Sequence, residues 1–270
     1  AVPICKLENC QVCEYEARVL QNQGEKKKQK VTSTALVLHN PVDPNLQWMY
    51  ADERTLEICG QSLKISQIQQ AGTGSLVWES SVILSRYLEK NKNSALLNFG
   101  GGGKRIIELG AGLGVVSITC ALLGCPCVVA TDSDEGVLPA LKSNLQKYTK
   151  TNDQNCRAER YEWGDLDSEV VRKGPYDVIL GSDILYEVKS FEPLLKSILA
   201  LGGVKSVVIL TYKLRYEEQL AKFFKMAAER GLTVQHLDAQ ALHSMGLTDG
   251  VGNDDKTGIA LAVLRFCAHK

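Results

Sequence analysis

The sequence predicts an α/β domain built on a doubly wound, mostly parallel sheet, and three observations carry that prediction. Arg105-Ile-Ile-Glu-Leu-Gly-Ala-Gly-Leu-Gly114 is an apolar run that meets glycines at alternate positions. An amphipathic segment to Gly124 follows, and then Val128-Val-Ala-Thr-Asp132, a second apolar run that ends in an acid. Beyond Asp132, strand-like and helix-like patterns alternate to the C-terminus, which requires a sheet covered by helices on both faces.

Each element has its own signal. Residues 1–35 are polar and irregular, and residues 1–50 form a variable N-terminal segment; residues 51–270 form the domain. The basic run Glu25-Lys-Lys-Lys-Gln-Lys30 reads first as a solvated face, with nuclear import or substrate docking as the minority reading. Thr55–Cys59 and Ser62–Ser66 alternate apolar and polar residues around Gly60-Gln61, which predicts a β-hairpin ahead of the main sheet. Val77 to Lys90 carries apolar residues at helical spacing, and Gly100–Gly103 is a connector. Strand 104–109, helix 113–124, strand 127–131 and helix 135–148 follow, the last with Asp134 as its N-cap. Strands 157–162 and 176–181, helix 191–201, strand 204–211 and helix 216–230 continue the alternation. Strands 232–237 and 258–266 have no helix between them, only a Gly/Asp-rich loop from about Gly246 to Gly258, so the last strand is expected to run antiparallel.

Composition narrows the class. Lysine plus arginine equals aspartate plus glutamate at 31 each, so no global field draws the chain to nucleic acid or membrane. No apolar run approaches the roughly 20 residues that span a bilayer. Nine cysteines, several inside apolar runs, suit reduced thiols in a cytoplasmic or nuclear protein better than a disulfide framework. Cys10-x-x-Cys13, with Cys5 nearby, lacks the second ligand pair that structural zinc needs, so no metal is expected.

Two ligand classes compete for the glycine loop. The dinucleotide fingerprint G-x-G-x-x-G needs a third glycine where this chain has Val115. Glu108, two residues before the first glycine, would repel a pyrophosphate but suit a ligand carrying an ammonium and a sulfonium. Asp132 is placed to accept hydrogen bonds from ribose hydroxyls. A βαβ unit without a ligand is the bland rival and the minority reading.

The E-x-G-x-G-x-G pattern resembles motif I of the class I S-adenosylmethionine-dependent methyltransferases. Val77-Trp-Glu-Ser-Ser81, Leu141-Lys-Ser-Asn144, Glu162-Trp-Gly-Asp165 and the Asp183-x-x-Tyr186 within Tyr176–Tyr186 are similar to those of the methyltransferase-like protein-lysine methyltransferases. Members of that group modify chaperones, the valosin-containing AAA ATPase and translation elongation factors. The resemblance covers roughly Thr55 to Phe266, and it implies a seven-stranded Rossmann-like sheet with the last strand reversed. It implies S-adenosylmethionine as cofactor and a lysine side chain of a protein as acceptor, with substrate choice encoded in residues 1–50 and around 239–257.

The resemblance also assigns roles. Gly110, Ala111 and Gly112 would approach the methionine end of the cofactor through the backbone, with Glu108 acting nearby through hydrogen bonds or water. Asp132 would hold the ribose, Trp163 would pack against the adenine, Trp78 would line the opposite side, and Ser182 would contact the cofactor from a strand end. Asp183 would orient the incoming lysine and Tyr186 would wall its channel; these two are the candidate catalytic residues. Nothing in the sequence demands more than a monomer. Two alternatives stand beside this reading: another acceptor (protein histidine or arginine, or a small molecule), and a non-catalytic cofactor-binding scaffold. A nicotinamide oxidoreductase is disfavoured by the glycine spacing.

Overall fold

Strands Glu53–Ile58 (β1) and Gln61–Ser66 (β2) form an antiparallel hairpin whose turn is Cys59-Gly60. The turn lies one residue earlier than expected, and both its residues take positive φ, 53° and 67°, as a two-residue hairpin loop matched to strand twist demands. Leu56, Ile58, Leu63 and Ile65 all face inward, so the hairpin is a cover for the core and not a free arm. The computed structural model describes residues 51–68, 73–99, 103–149, 156–249, 251 and 258–267. The Cys10-x-x-Cys13 pair and the basic run at 25–30 lie outside them.

After the hairpin come helix α1 (Glu79–Asn91), β3 (Arg105–Leu109), α2 (Val115–Leu122), β4 (Cys127–Asp132), α3 (Leu138–Tyr148) and β5 (Cys156–Arg160). The second half holds α4 (Glu169–Arg172), β6 (Val178–Ser182), α5 (Phe191–Leu201), β7 (Val207–Lys213), α6 (Glu217–Glu229), β8 (Leu232–Leu237), α7 (Ala239–Ser244) and β9 (Ile259–Phe266). Among the described residues the main sheet has seven strands in the order β5-β4-β3-β6-β7-β9-β8, with β9 antiparallel to both its neighbours. The expected sheet and its reversed last strand are therefore present, preceded by the expected hairpin.

The alternation along β3 explains why both faces are covered. Ile106 packs with α1, α2, α3 and the hairpin on one face, while Ile107 and Leu109 pack with α5 and α6 on the other. Both faces are apolar, as a mostly parallel sheet requires. From β3 the chain builds outward through β4 and β5, and β6 then returns to β3's other edge. That reversal opens a crevice past the carboxyl ends of β3 and β6, where such sheets take their ligands.

Several boundaries differ from expectation for local reasons. Asp134 does not cap α3: its Oδ1 accepts from the Gly136 amide (2.8 Å), closing a turn, and the helix starts only at Leu138. Strand β7 starts at Val207 because Ser206 is spent on a turn, its hydroxyl bonding the Gly203 amide (2.8 Å) and the Tyr176 carbonyl (2.6 Å). Two short helices were not expected. Ser168 caps α4 through Val171 N (3.3 Å), and Asp238 caps α7 through Ala241 N (2.8 Å). No helix among the described residues is long and apolar enough to cross a membrane.

Candidate active site

The crevice contains a cavity of about 480 Å³. It is lined by Trp78, Gly110, Ala111, Gly112, Asp132, Trp163, Ser182, Asp183 and Tyr186, so nine of the ten expected site residues meet at one place. Glu108 is the exception. It is 1% exposed and lies beneath the loop, not on its rim.

The reason is helix capping. Residue Gly114 precedes α2 and has no side chain to satisfy the helix's first amides. The Glu108 carboxylate reaches across from β3 and does so: Oε2 accepts from Ser117 N at 2.9 Å and from Ser117 Oγ at 2.5 Å. Its other oxygen, Oε1, has no hydrogen-bond partner among the described residues. Burial pushes this acid up to about 8, the two Ser117 bonds pull the other way, and the nearby Asp132 charge adds to the rise. A cation above the loop would favour the ionised form and give Oε1 a purpose, so the orphaned oxygen fits an ammonium- and sulfonium-bearing ligand.

The rise has a measurable consequence. A carboxyl that ionises near 4.5 when unfolded and near 8 when folded stabilises the native state fully below pH 4.5 and loses that contribution as pH rises through 8. The slope is up to about 1.4 kcal/mol per pH unit. Buried His236, lowered to about 4 by desolvation, has the opposite slope, but its contribution is complete above about pH 6.5. Denaturant melts of the unliganded protein between pH 6.5 and 8.5 should therefore lose stability with pH, and Glu108→Gln should flatten that slope. Parallel slopes in the two proteins would show that Glu108 is already ionised.

The glycine loop itself is arranged for acceptors. The Ala111 amide donates to Thr131 O (2.8 Å), and the Gly112 amide to Asp132 Oδ2 (2.9 Å). These are the donors a pyrophosphate would need, and both are committed inside the protein. Oxygens of Asp132 and of the loop suit a cationic, ribose-bearing ligand better. Close approach is built in: a Cβ on Gly110 would lie 2.9 Å from Ile184 Cγ2 and 3.2 Å from the Trp163 ring, and one on Gly112 would lie 2.9 Å from Gly74 O. The amides of Ala111 and Gly112 serve the fold, while the backbone of both residues still lines the cavity as expected of a close approach.

Trp163 packs against Gly110 at one wall, presenting a flat apolar face. Trp78 ends the segment before α1, its Nε1 donating to Thr73 O at 2.7 Å. Thr211 Oγ1 donates to Ser80 O at 2.9 Å, tying the start of α1 to the end of β7. Asp183 follows β6 in the left-handed region (φ 53°), its amide held by Thr211 O at 2.8 Å. Asp and Asn tolerate that region better than most residues. The turn aims the carboxylate at the cavity, with 11% of the side chain exposed. Tyr186 is 46% exposed and stands at the mouth.

Two contributors were missed. Arg215, in the loop after β7, lines the cavity and pairs with Asp183; its place past the end of a parallel strand was the available signal. Asn144, quoted only as part of a motif, is 1% exposed and joins two segments. Its Oδ1 accepts from Ser66 N (3.1 Å), and its Nδ2 donates to Ser66 O (3.1 Å) and Leu113 O (3.2 Å). Among the described residues no cluster of His, Cys, Asp and Glu could hold a metal.

Comparison with known proteins agrees with this geometry. The chain is 33% identical over 199 residues to protein N-lysine methyltransferase METTL21A of Mus musculus, covering 72% of this chain and 86% of that one. It is 34% identical over 181 residues to EEF1A lysine methyltransferase 3 of Xenopus tropicalis, covering 65% and 75%. In fold it is similar to SMU.776, crystallised with S-adenosylhomocysteine (TM-score 0.54, 14% identity, 79% of this chain and 56% of that one). A family model described as lysine methyltransferase matches residues 58–230. That span includes every residue lining the cavity, and the chain belongs to the lysine methyltransferase family, with S-adenosylmethionine as its methyl donor.

Proposed function

We propose that the acceptor is a lysine on a protein of the translation-elongation-factor 1A class, with chaperones and AAA ATPases as the next candidates. The observation that carries the reading is that Asp183 lines the same cavity as Asp132 and the two indoles. One relative is named for EEF1A. The rim supports a macromolecular acceptor. Leu166, Tyr186 and Tyr216 are 47%, 46% and 61% exposed, and they sit on the loops leaving the carboxyl ends of β5, β6 and β7. Exposed apolar groups on the loops at this end of the strands would serve a protein-docking surface.

When bound, S-adenosylmethionine supplies an electrophilic methyl group on sulfonium sulfur. The chain's residues do the rest by positioning. Asp183 accepts a hydrogen bond from the acceptor nitrogen and orients it, and Tyr186 walls its approach. These residues would hold the acceptor nitrogen in line with the methyl group that the bound donor would give up from its sulfur, with the nitrogen's proton passing to solvent. Alignment of this kind supplies about 7–11 kcal/mol in the best oriented cases. Residues 1–50 and the stretch 239–257 are assigned to substrate choice. We also place the enzyme in the cytoplasm, extending to the nucleus, as a monomer without nucleic-acid partners. Cys120 and Cys125 are buried free thiols, the form that a reducing compartment maintains.

The test is incubation with tritiated S-adenosylmethionine and cell extract, followed by mass spectrometry of the labelled band. Methyl-lysine on an elongation factor is the expected result. Label on histidine, on arginine or on a small molecule would overturn the acceptor assignment.

A further inference from the structure

Asp183 creates a problem for the reaction it serves. A carboxylate beside the acceptor amine holds it as ammonium, and an ammonium has no lone pair to attack a methyl group. An opposite charge within about 4–6 Å typically raises such a pKa by one to three units. Free lysine, near 10.4, already starts too high.

The structure places a second charge where it offsets the first. Arg215 Nη2 lies 3.1 Å from Asp183 Oδ2. The same guanidinium is held over the Trp78 ring, 5.8 Å from its centre, a contact that favours a cation. Asp183 keeps its other oxygen for the acceptor, because the bond from Arg215 engages Oδ2. The other ionisable groups around the cavity are Asp132, Asp134, Glu162, Glu187 and Lys189, with Tyr186 at the mouth. Lys189 is drawn to Glu187 at 2.8 Å, and on α1 Glu79 faces Arg54 at 3.9 Å, so neither cation is directed at Asp183.

We propose that Arg215 is a positioning and charge-balancing residue that lets Asp183 orient the acceptor lysine without locking it in the protonated form. This deepens the lysine-transfer reading and rests on it. Asp183 supplies direction, and Arg215 removes most of the charge that direction would otherwise bring. The guanidinium is 38% exposed, so screening trims its influence to about one pKa unit.

The test is the pH profile of tritium transfer to the lysine of the main labelled band in cell extract, for wild type, Arg215→Met and Arg215→Lys. The Met variant should show its rising limb displaced about one unit upward, with transfer at pH 7.5 about tenfold lower and recovery above pH 9. The Lys variant should follow the wild-type limb. A pH-independent loss in Arg215→Met would reduce Arg215 to a structural support. A gain in rate or a lower KM would make it an obstacle that the substrate displaces; either result overturns the proposal. Absence of labelled lysine with the wild-type chain would instead remove the parent reading, so the two failures are told apart.

Discussion

Asp183→Ala should lower methyl transfer by about 10²–10³-fold while the affinity for S-adenosylhomocysteine, measured by calorimetry, stays within about twofold. The asymmetry follows from position. Asp183 stands after β6 with its carboxylate in the cavity, whereas Asp132, the acid expected to hold the ribose, ends β4. With Asp183 in its proposed role, its loss would leave the acceptor nitrogen without an anchor, and a misplacement of about 1 Å can cost a hundredfold. Alanine also pays for the positive φ at this position, so Asp183→Asn is the cleaner variant: asparagine tolerates that backbone and keeps a hydrogen-bond acceptor but carries no charge. Equal loss of transfer and of cofactor binding in both variants would place Asp183 in the cofactor site.

Gly112→Ala should weaken cofactor binding at least tenfold and lower the melting temperature as well. Residue 112 has φ 51°, which costs an L-residue about 1–2 kcal/mol. The added methyl would also stand 2.9 Å from the carbonyl oxygen of Gly74, a backbone atom that cannot rotate away. Relief requires the loop to shift, and the Gly112 amide is what Asp132 Oδ2 accepts from. Gly231→Ala separates the two causes. It has φ 82° but nothing within 4 Å of the new methyl, so it should lose only the conformational part and bind cofactor normally. If both variants melt alike and bind alike, the close approach at Gly74 has no functional weight.

The parts of this protein legible in its sequence are those in which one local rule dominates. Glycines at 110, 112 and 114 after an apolar strand left few alternatives, and Asp132 at the end of the next strand fixed the site's second edge. The alternation from β3 onward gave the sheet. What escaped was decided by contacts between distant segments. Glu108 reads as an acid beside the ligand from its place in the motif, yet Gly114 leaves α2 without a capping side chain, and that need draws the carboxylate under the loop. Asp134 reads as a helix cap, but closing a turn onto Gly136 is the more local bond, and it wins. Arg215 sits 32 residues from Asp183, and no spacing rule links them.

The amide of Asn144 settles where a minimal functional fragment could begin. Because one buried side chain is bonded both to the strand ending at Ser66 and to Leu113 next to the glycine loop, cutting the chain ahead of α1 would remove two of its three hydrogen bonds and leave only the one to Leu113. Each buried polar group so orphaned costs about 1–3 kcal/mol. The hairpin is therefore a foundation of the donor pocket, and deletion series that treat it as a removable leader will report lost activity for reasons unrelated to substrate choice.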